Sequence, residues 1–402
     1  EFLLRYYHKT GNKIALEHLI LTLTKIGQGG IYDQIGGGFA RYSTDENWKV
    51  PHFEKMLYIN AQMITNYSDA YKTNKNESYK RVVFQTIDWL EREMTDDKGS
   101  FYSSQDADSE GLEGWYYTWT KAELKSILGE DYEWLKNYFE INPLGVFEGD
   151  RYVLFRSNSD VAFAQSNDWT LQQLHEKLDR VTRLLRTERN KRIKPATDKK
   201  TIASWNALMV SGLIDAYEAF GETRFLEMAE ANMKELLKLN DSDSGINEIN
   251  HLIRGPENAF LDDYAFTIKA LIDLYQATFN ESYLNLANDY SFEAIKRFKD
   301  ENNPYFYYSM IDDRVALRSI ELQDLSIPSS NAVMAENLFL LGKYFDNETF
   351  LEVSKDMCYN MKSSVLNYGT SFSYWGRVMQ FFTNPFYEVA ITGDDSETIH
   401  KE

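Results

Sequence analysis

Apolar residues recur along this chain at the three-to-four-residue spacing of amphipathic helices, and four of these segments share one register. In each segment, a dipeptide that ends in alanine marks the same slot. A tyrosine, or glycine in one case, lies eleven residues after the start of the slot, and an aromatic residue lies eight residues further on. The slots are Asn60-Ala61, Asn206-Ala207, Tyr264-Ala265 and Asn331-Ala332. Such a repeat predicts stacked helical hairpins.

Helices of two kinds alternate along these hairpins. The first kind is apolar on nearly every face, as is typical of a helix covered on all sides, and we expect it at 53–72, 119–140, 202–219, 261–279 and 331–345. The second kind keeps one polar stripe, and we expect it at 13–26, 78–94, 169–190, 223–239, 282–299 and 348–366. The order fits two concentric rings of about six helices. The sequence therefore predicts an all-α fold, a single (α/α)6 toroid domain over residues 1–402, with the initial FLLRYYH as a remnant of the sixth inner helix.

Long segments rich in aromatic residues and glycine separate the hairpins and precede the inner helices. We expect short β-hairpins there. The segments are GGIYDQIGGGFARYS, KGSFYSSQDADSEGLEGWYYTW, DSGINEINHLIRG, NNPYFYYSM and YGTSFSYWGRV. Because the connections of a helical ring alternate between its two ends, these loops should gather on one face as a cup over the N-termini of the inner helices. The partial positive charge of those N-termini suits anionic or polyhydroxylated ligands.

The charge balance narrows the choice of partners. The chain has 402 residues, a net charge of −19 and one cysteine, Cys358, which leaves no internal disulfide. We expect no nucleic acid and no membrane as partners, because few basic residues could neutralise phosphates and no apolar run approaches the roughly 18 residues that cross a bilayer. The chain begins without methionine or a signal sequence, so we expect a cytoplasmic protein whose true N-terminus is missing.

Carboxylates and aromatic side chains converge on the expected cup. The catalytic candidates, chosen for acid–base chemistry, are His52, Glu54, Asp106, Asp262 and Asp263. The substrate-binding candidates are Arg41, Tyr42, Trp48, Asp108, Trp115, Trp205, Asn206, Tyr264, Asn331 and Glu388. The same loops also contain Glu113 and His251. Helix capping is the alternative explanation for Asp262, Ser204 and Ser329, but it explains Asp263 less well.

Three local motifs have a structural alternative. Pro51 is expected to mark the start of the first inner helix, with His52 and Glu54 on different faces of it. The segment DADSEG, 106–111, resembles a weak calcium loop but lacks the EF-hand spacing. The triple glycine 36–38 lacks the spacing of a dinucleotide-binding loop, which favours a tight turn. We therefore predict no metal and no cofactor.

Five motifs resemble, in order and spacing, a family whose animal member is spermatogenesis-associated protein 20. The motifs are GGIYDQIGGGFARYSTDENWKVPHFEKMLY, GSFYSSQDADSEG, SWNALM, FLDDYAF and YEVAITG. The resemblance runs from about residue 10 to residue 393. It implies a six-hairpin toroid similar to the N-acylglucosamine 2-epimerases and six-hairpin glycosidases, paired in the family with an N-terminal thioredoxin-like domain that this sequence does not contain. Five positions depart from the family pattern: Ile59, Gln105, Lys199, Ala207 and Ser330.

Two classes of function follow. The first is a protein that binds or processes a saccharide in an acidic, aromatic cup, either as a glycosidase with paired carboxylates or as an epimerase with bases on both faces of a carbon. The small number of histidines near the cup, His52 and His251, favours the first chemistry over the second. The alternative is a non-catalytic interaction module whose partner is a thioredoxin-like domain.

Overall fold

The computed structural model describes residues 1–237, 248–255, 258–310, 317–387 and 389. Its contacts define two compact units. Unit N comprises residues 17–97 and 101–200, and unit C comprises residues 1–16, 98–100 and 201–402. The prediction of a single domain over 1–402 stays a prediction, and each unit is described by itself below.

The structure is mostly helical, as predicted. The helices of the described residues are α1 Phe2–Thr10, α2 Lys13–Gln28, α3 Leu57–Asn74, α4 Glu77–Trp89, α5 Lys121–Leu128, α6 Tyr132–Tyr138, α7 Asp160–Ser166, α8 Leu171–Arg189, α9 Ala203–Phe220, α10 Thr223–Leu237, α11 Leu261–Thr278, α12 Glu281–Phe298, α13 Ser330–Tyr344, α14 Glu348–Asn367 and α15 Ser373–Thr383. Most ends lie within two or three residues of their predicted positions, which confirms the repeat as a series of helical hairpins.

Nine two-residue strands form small antiparallel sheets in unit N. They are β1 Tyr42–Ser43, β2 Pro51–His52, β3 Lys55–Met56, β4 Ser104–Gln105, β5 Asp108–Ser109, β6 Leu112–Glu113, β7 Trp119–Thr120, β8 Arg151–Tyr152 and β9 Thr197–Asp198. Strands β1 and β2 pair, β5 pairs with β6, β7 pairs with β8, and β4 lies between β3 and β9. The predicted hairpin character of the first two loop segments is therefore confirmed.

Unit C contains α1, the hairpins α9–α10, α11–α12 and α13–α14, and α15. Helices α9, α11 and α13 lie side by side, and almost every residue in the first three turns of α11 and α13 is buried, as predicted for helices covered on all sides. The hairpin turns use asparagine caps: Asn280 accepts a hydrogen bond from the Ser282 N–H, and Asn347 accepts one from the Phe350 N–H.

The asparagines of the repeat slot hold the loop that precedes their helix. In unit N, the Asn60 side chain accepts a hydrogen bond from the Phe39 N–H at 2.7 Å and donates one to the Phe39 carbonyl at 3.1 Å. In unit C, Asn331 makes the same pair of bonds to Phe306, at 2.8 and 3.0 Å. Both asparagines are fully buried, and so are both phenylalanines. The repeated asparagine therefore marks a backbone clamp between a loop and the inner helix that follows it.

Three predicted elements are wrong. The first inner helix begins at Leu57 rather than at residue 53, because Pro51 and His52 lie in β2 and pair with β1. The predicted helix 119–140 is two short helices, α5 and α6, which separate at Gly129, where φ is 54°. The segment YGTSFSYWGRV is not a hairpin: from Ser373 it forms α15, which packs against α1, α13 and α14.

Candidate functional site

The N-terminus of α11 in unit C holds two adjacent acidic residues, Asp262 and Asp263. Phe260, just before the helix, has an extended backbone, so both aspartates lie in the first turn. Carboxylates are stabilised there by the partial positive charge of the helix N-terminus. Two loops lie beside this end of the helix, because the Leu261 N–H donates to the Tyr308 carbonyl and the Ala203 N–H of α9 donates to the His251 carbonyl.

Asp263 is fully enclosed by protein groups. Its side chain is 0% exposed. One carboxylate oxygen accepts a hydrogen bond from the Ser204 N–H at 3.1 Å, and the other accepts one from the Phe260 N–H at 2.9 Å. The second oxygen also lies 3.0 Å from Nδ1 of His251. Asp263 therefore caps its own helix and orients the His251 ring, which makes it a positioning residue.

Asp262 lies beside this pair and keeps its proton at higher pH than an ordinary aspartate. The residue is 6% exposed, and its carboxylate accepts the Asp263 N–H at 3.0 Å. Burial, together with the negative charge of Asp263, raises the pKa of Asp262 to about 7, although His251 acts in the opposite direction. A carboxyl group that titrates near neutral pH can donate or accept a proton at working pH, which is the property required of a general acid or base.

Aromatic rings line the same end of α11. Tyr308 stacks on Phe260 with 4.9 Å between ring centroids, and the His251 ring meets Phe260 edge-on at 5.1 Å. Burial and the nearby carboxylate of Asp262 hold the pKa of the Tyr308 hydroxyl well above its usual range, so the hydroxyl stays protonated. Rings with a polar edge are suited to polyhydroxylated ligands, because they offer an apolar face and a hydrogen bond together.

A second cluster occupies the β1–β2 and β5–β6 hairpins of unit N. Nδ1 of His52 lies 2.7 Å from a carboxylate oxygen of Glu113, and Nε2 lies 3.8 Å from Glu54. Arg41 donates to Glu54 at 3.0 Å, and Tyr42 stacks on the His52 ring at 5.1 Å between centroids. The structure thus brings together four predicted residues and adds Glu113. This cluster is only partly buried, and Tyr42 is 50% exposed.

Three buried charged residues connect the first of the five family motifs, residues 29–58, to helix α8. Asp33 accepts hydrogen bonds from Lys55 at 2.9 Å and from Arg189 at 2.8 Å, and all three side chains are almost fully buried. Burial lowers the pKa of Lys55 to about 8, although Asp33 opposes that shift. Removing one member of such a triad leaves uncompensated buried charge, so the triad ties three distant parts of unit N together.

The triple glycine lies against helix α4, as expected for a tight turn. Gly37 and Gly38 have φ of 78° and 82°, which side chains disfavour. A Cβ at Gly37 would lie 2.0 Å from the Gln85 carbonyl oxygen, and one at Gly38 would lie 2.8 Å from the Trp89 ring. These glycines permit close packing of backbone on α4.

The other predicted residues fall into two groups. Asp106, between β4 and β5, and Asp108, the first residue of β5, are exposed, and Trp48 and Trp205 are half-buried. Trp115 lies under the Arg151 guanidinium at 3.9 Å. The remaining three, which are buried in the interior and do not face solvent, are Asn206, Tyr264 and Asn331.

Asn206 donates to the Ile202 carbonyl and accepts from Asn232, while Tyr264 packs edge-on against Tyr290 and Phe298. These contacts show that Asn206 and Tyr264 occupy the repeat slot because they pack in the interior. Glu388 lies outside the described residues. Within the described ranges, no group of three or more histidine, cysteine or acidic side chains is arranged to hold a metal ion, and no helix is long and apolar enough to cross a membrane.

The helical hairpins and their loops define an all-α protein of the (α/α)6 toroid class, as predicted. The fold is similar to that of the cellobiose 2-epimerase from Spirochaeta thermophila, with a TM-score of 0.53 and 12% identity over 90% of this chain and 72% of that chain. At this identity the likeness concerns the fold alone.

By sequence, the chain is homologous to spermatogenesis-associated protein 20 of Homo sapiens, to which it is 30% identical over 381 residues. The match covers 84% of this chain and 48% of the human protein. An uncharacterized protein of Caenorhabditis elegans is also 30% identical, over 88% of this chain and 53% of its own length. The chain thus spans about half the length of these relatives. No family model matches the chain. The family resemblance predicted from the five motifs is confirmed.

Proposed function

We propose that this protein binds and processes a saccharide at the N-terminus of α11, with Asp262 as the group that transfers a proton. The observation that carries the proposal is the arrangement of Asp262 and Asp263 with His251, in which one carboxylate is enclosed and positions the histidine while the other titrates near neutral pH. The rings of Phe260 and Tyr308 would contact the apolar face of a sugar.

The chemistry at this end of α11 suits proton transfer to or from a sugar carbon or a glycosidic oxygen. Asp263 holds Nδ1 of His251, an arrangement that fixes the orientation of the imidazole. Asp262 and the side chain of His251, which is 26% exposed, then provide two titratable groups beside one aromatic wall. This pair is compatible with epimerisation, which needs two such groups, and Asp262 is compatible with the acid step of glycoside hydrolysis.

Two readouts on one sugar panel test the proposal. Glucose, mannose, N-acetylglucosamine and cellobiose are titrated calorimetrically, and bound sugars are then incubated in D2O and followed by NMR. Uptake of deuterium at carbon indicates epimerisation, whereas new reducing ends from cellobiose indicate hydrolysis. We expect at least one sugar to bind with Kd below about 1 mM. Asp262→Asn should lower turnover by about 100-fold or more, since general acid–base groups typically contribute this much.

The matched control is Asp356→Asn, which changes an exposed aspartate on α14. It should leave binding and turnover unchanged. If none of the four sugars binds, or if Asp262→Asn turns over as fast as the parent protein, a saccharide-processing role for the α11 site is wrong.

A second candidate function is a non-catalytic module that binds a thioredoxin-like domain. The observation that favours it is the exposed surface around His52 in unit N, where Tyr42 and Leu112 are each about half exposed beside Arg41. Tyrosine and arginine are enriched in protein interfaces. Under this alternative, the thioredoxin-like domain of a full-length relative binds the chain calorimetrically, Tyr42→Ser weakens that binding, and Asp262→Asn does not. If titration of the thioredoxin-like domain into the chain gives no heat of binding, this alternative function is ruled out.

A further inference from the structure

Unit N contains a cavity of about 360 Å3 between helices α2, α4, α7 and α8 that none of the predicted site residues lines. Its volume falls within the range of small-molecule sites, which is roughly 300–1,000 Å3. Most of its wall is apolar, from side chains that include Leu23, Val82, Val161 and Leu171. Such a wall favours a ligand with an apolar body. The polar groups at one end of the cavity determine which functional group that ligand carries.

Two guanidinium groups lie at the polar end, together with the carboxylate of Asp160. Asp160 accepts hydrogen bonds from Arg156 and from the Tyr138 hydroxyl, the latter at 2.8 Å. His175 lies 3.2 Å from its other oxygen, and Arg81 lies 3.6 Å from that oxygen. Burial alone would raise the pKa of Asp160, but His175, Arg156 and Arg81 together hold it below its usual range. One carboxylate thus faces two permanent positive charges.

The two arginines keep donors that Asp160 does not use. The Arg156 side chain is 10% exposed, and its Nε has no hydrogen-bond partner among the described residues. This nitrogen is enclosed by protein, so it adds to the positive charge at the polar end of the cavity but does not itself donate to a ligand there. Arg81 makes no hydrogen bond to any residue that the structure describes, and its ion pair with Asp160 is long.

The other charged side chains near the cavity do not cancel the positive charge of the two arginines. Glu77 is exposed on the wall and accepts a hydrogen bond from the Tyr71 hydroxyl at 3.3 Å. Asp179 lines a smaller cavity that shares Arg81, Arg156 and Asp160 with this one. At the buried end itself, Arg81 and Arg156 therefore face only one carboxylate, so an anionic group is favoured there.

We propose that this cavity binds a small organic carboxylate with an apolar body. The carboxylate accepts hydrogen bonds from Arg81 and Arg156, whose planar guanidinium groups match its geometry. The apolar body lies against Leu23, Val82 and Leu171. None of the residues that line this cavity belongs to the α11 site, so the carboxylate site does not rest on the proposed saccharide function.

Calorimetric titration of the full chain tests the site with benzoate, which joins a carboxylate to an apolar ring. Benzamide has nearly the same shape without the charge and is the matched ligand control. We expect saturable binding of benzoate and at least tenfold weaker binding of benzamide. Arg81→Gln should weaken benzoate at least tenfold, whereas Arg183→Gln, an exposed arginine on α8 outside the cavity, should not change it.

A second variant covers the case in which Arg81→Gln does not fold. Leu171→Asp places a negative charge on the cavity wall at an exposed position in the first turn of α8, where aspartate is well tolerated. It should also weaken benzoate at least tenfold. The carboxylate site is refuted if benzoate does not bind the parent chain, if benzamide binds as tightly, or if both cavity variants bind benzoate like the parent.

Discussion

At the scale of single residues, the titration of Asp262 has a consequence for stability. An unfolded aspartate has a pKa of about 3.9. The folded protein holds the pKa of Asp262 near 7, because burial and Asp263 both disfavour its charged form. The folded state therefore binds the proton more tightly than the unfolded state does. It follows that this group reduces the free energy of unfolding progressively as pH rises from about 4 to about 7, with no further change above that range.

Asp262→Asn should remove this pH dependence. Asparagine keeps the oxygen that accepts the Asp263 N–H but carries no charge. Relative to the parent protein, we expect the variant to gain on the order of 4 kcal/mol at pH 8 and little at pH 4. Urea unfolding monitored by circular dichroism at four pH values measures the difference. Asp108→Asn should keep the parent pH profile, and parallel curves for the parent and Asp262→Asn would contradict the raised pKa.

The partners of these residues explain why the site could be predicted only in part. Asp262 and Asp263 follow from their place at a helix start, where acidic residues are expected. The pairing of Asp263 with His251 joins residues twelve positions apart in the sequence, and the stacking of Tyr308 on Phe260 joins residues in different loops. A local sequence pattern does not predict such contacts, because they depend on the conformation of the loops between the helices. His251 was therefore recognised as a loop residue but not as a partner.

At the scale of elements, the asparagine clamp explains why asparagine recurs in the repeat slot. Asn331 holds both backbone polar groups of Phe306 and donates to the Glu321 carbonyl as well. The two Phe306 groups are buried in protein, so loss of the Asn331 side chain leaves an unsatisfied donor and an unsatisfied acceptor. Asn206 and Asn331 were predicted as candidates for ligand binding, yet the structure occupies Asn331, like Asn60, with the backbone of its own loop.

Asn331→Ala should destabilise the protein by about 3 kcal/mol, because two buried backbone groups lose their partner. Urea unfolding at pH 8 measures the change. Asn360→Ala on the exposed face of α14 is the control, since its side chain donates only to a carbonyl within its own helix. That control should stay within about 0.5 kcal/mol of the parent. A loss below about 1 kcal/mol for Asn331→Ala would mean that water replaces the clamp.

The helices were predicted correctly where the sequence is apolar on nearly every face and an asparagine caps the hairpin turn. The prediction failed at residues 119–140, where Gly129 breaks a continuous apolar pattern, and at residues 373–383, where aromatic residues beside Gly376 suggested strands. In α15 those aromatics pack against neighbouring helices, with Trp375 fully buried. Tertiary packing outweighed the local preference of aromatic residues for strands there.

At the scale of the whole molecule, cooperativity tests the predicted single domain. Asn60→Ala weakens a clamp in unit N, and Asn331→Ala weakens its counterpart in unit C. If the chain unfolds as one domain, both variants lower the midpoint of the same calorimetric transition, and the calorimetric and van't Hoff enthalpies agree. Two transitions, each shifted by only one of the variants, would contradict a single domain.

The clamp also separates the length of a loop from the placement of the helix that follows it. Phe39 and Asn60 are 21 residues apart, whereas Phe306 and Asn331 are 25 apart, yet the two pairs make the same bonds. The clamp therefore accommodates segments of different length between the phenylalanine and its asparagine. In both units, the helix keeps the same attachment to the start of its loop although the residues between them differ in number.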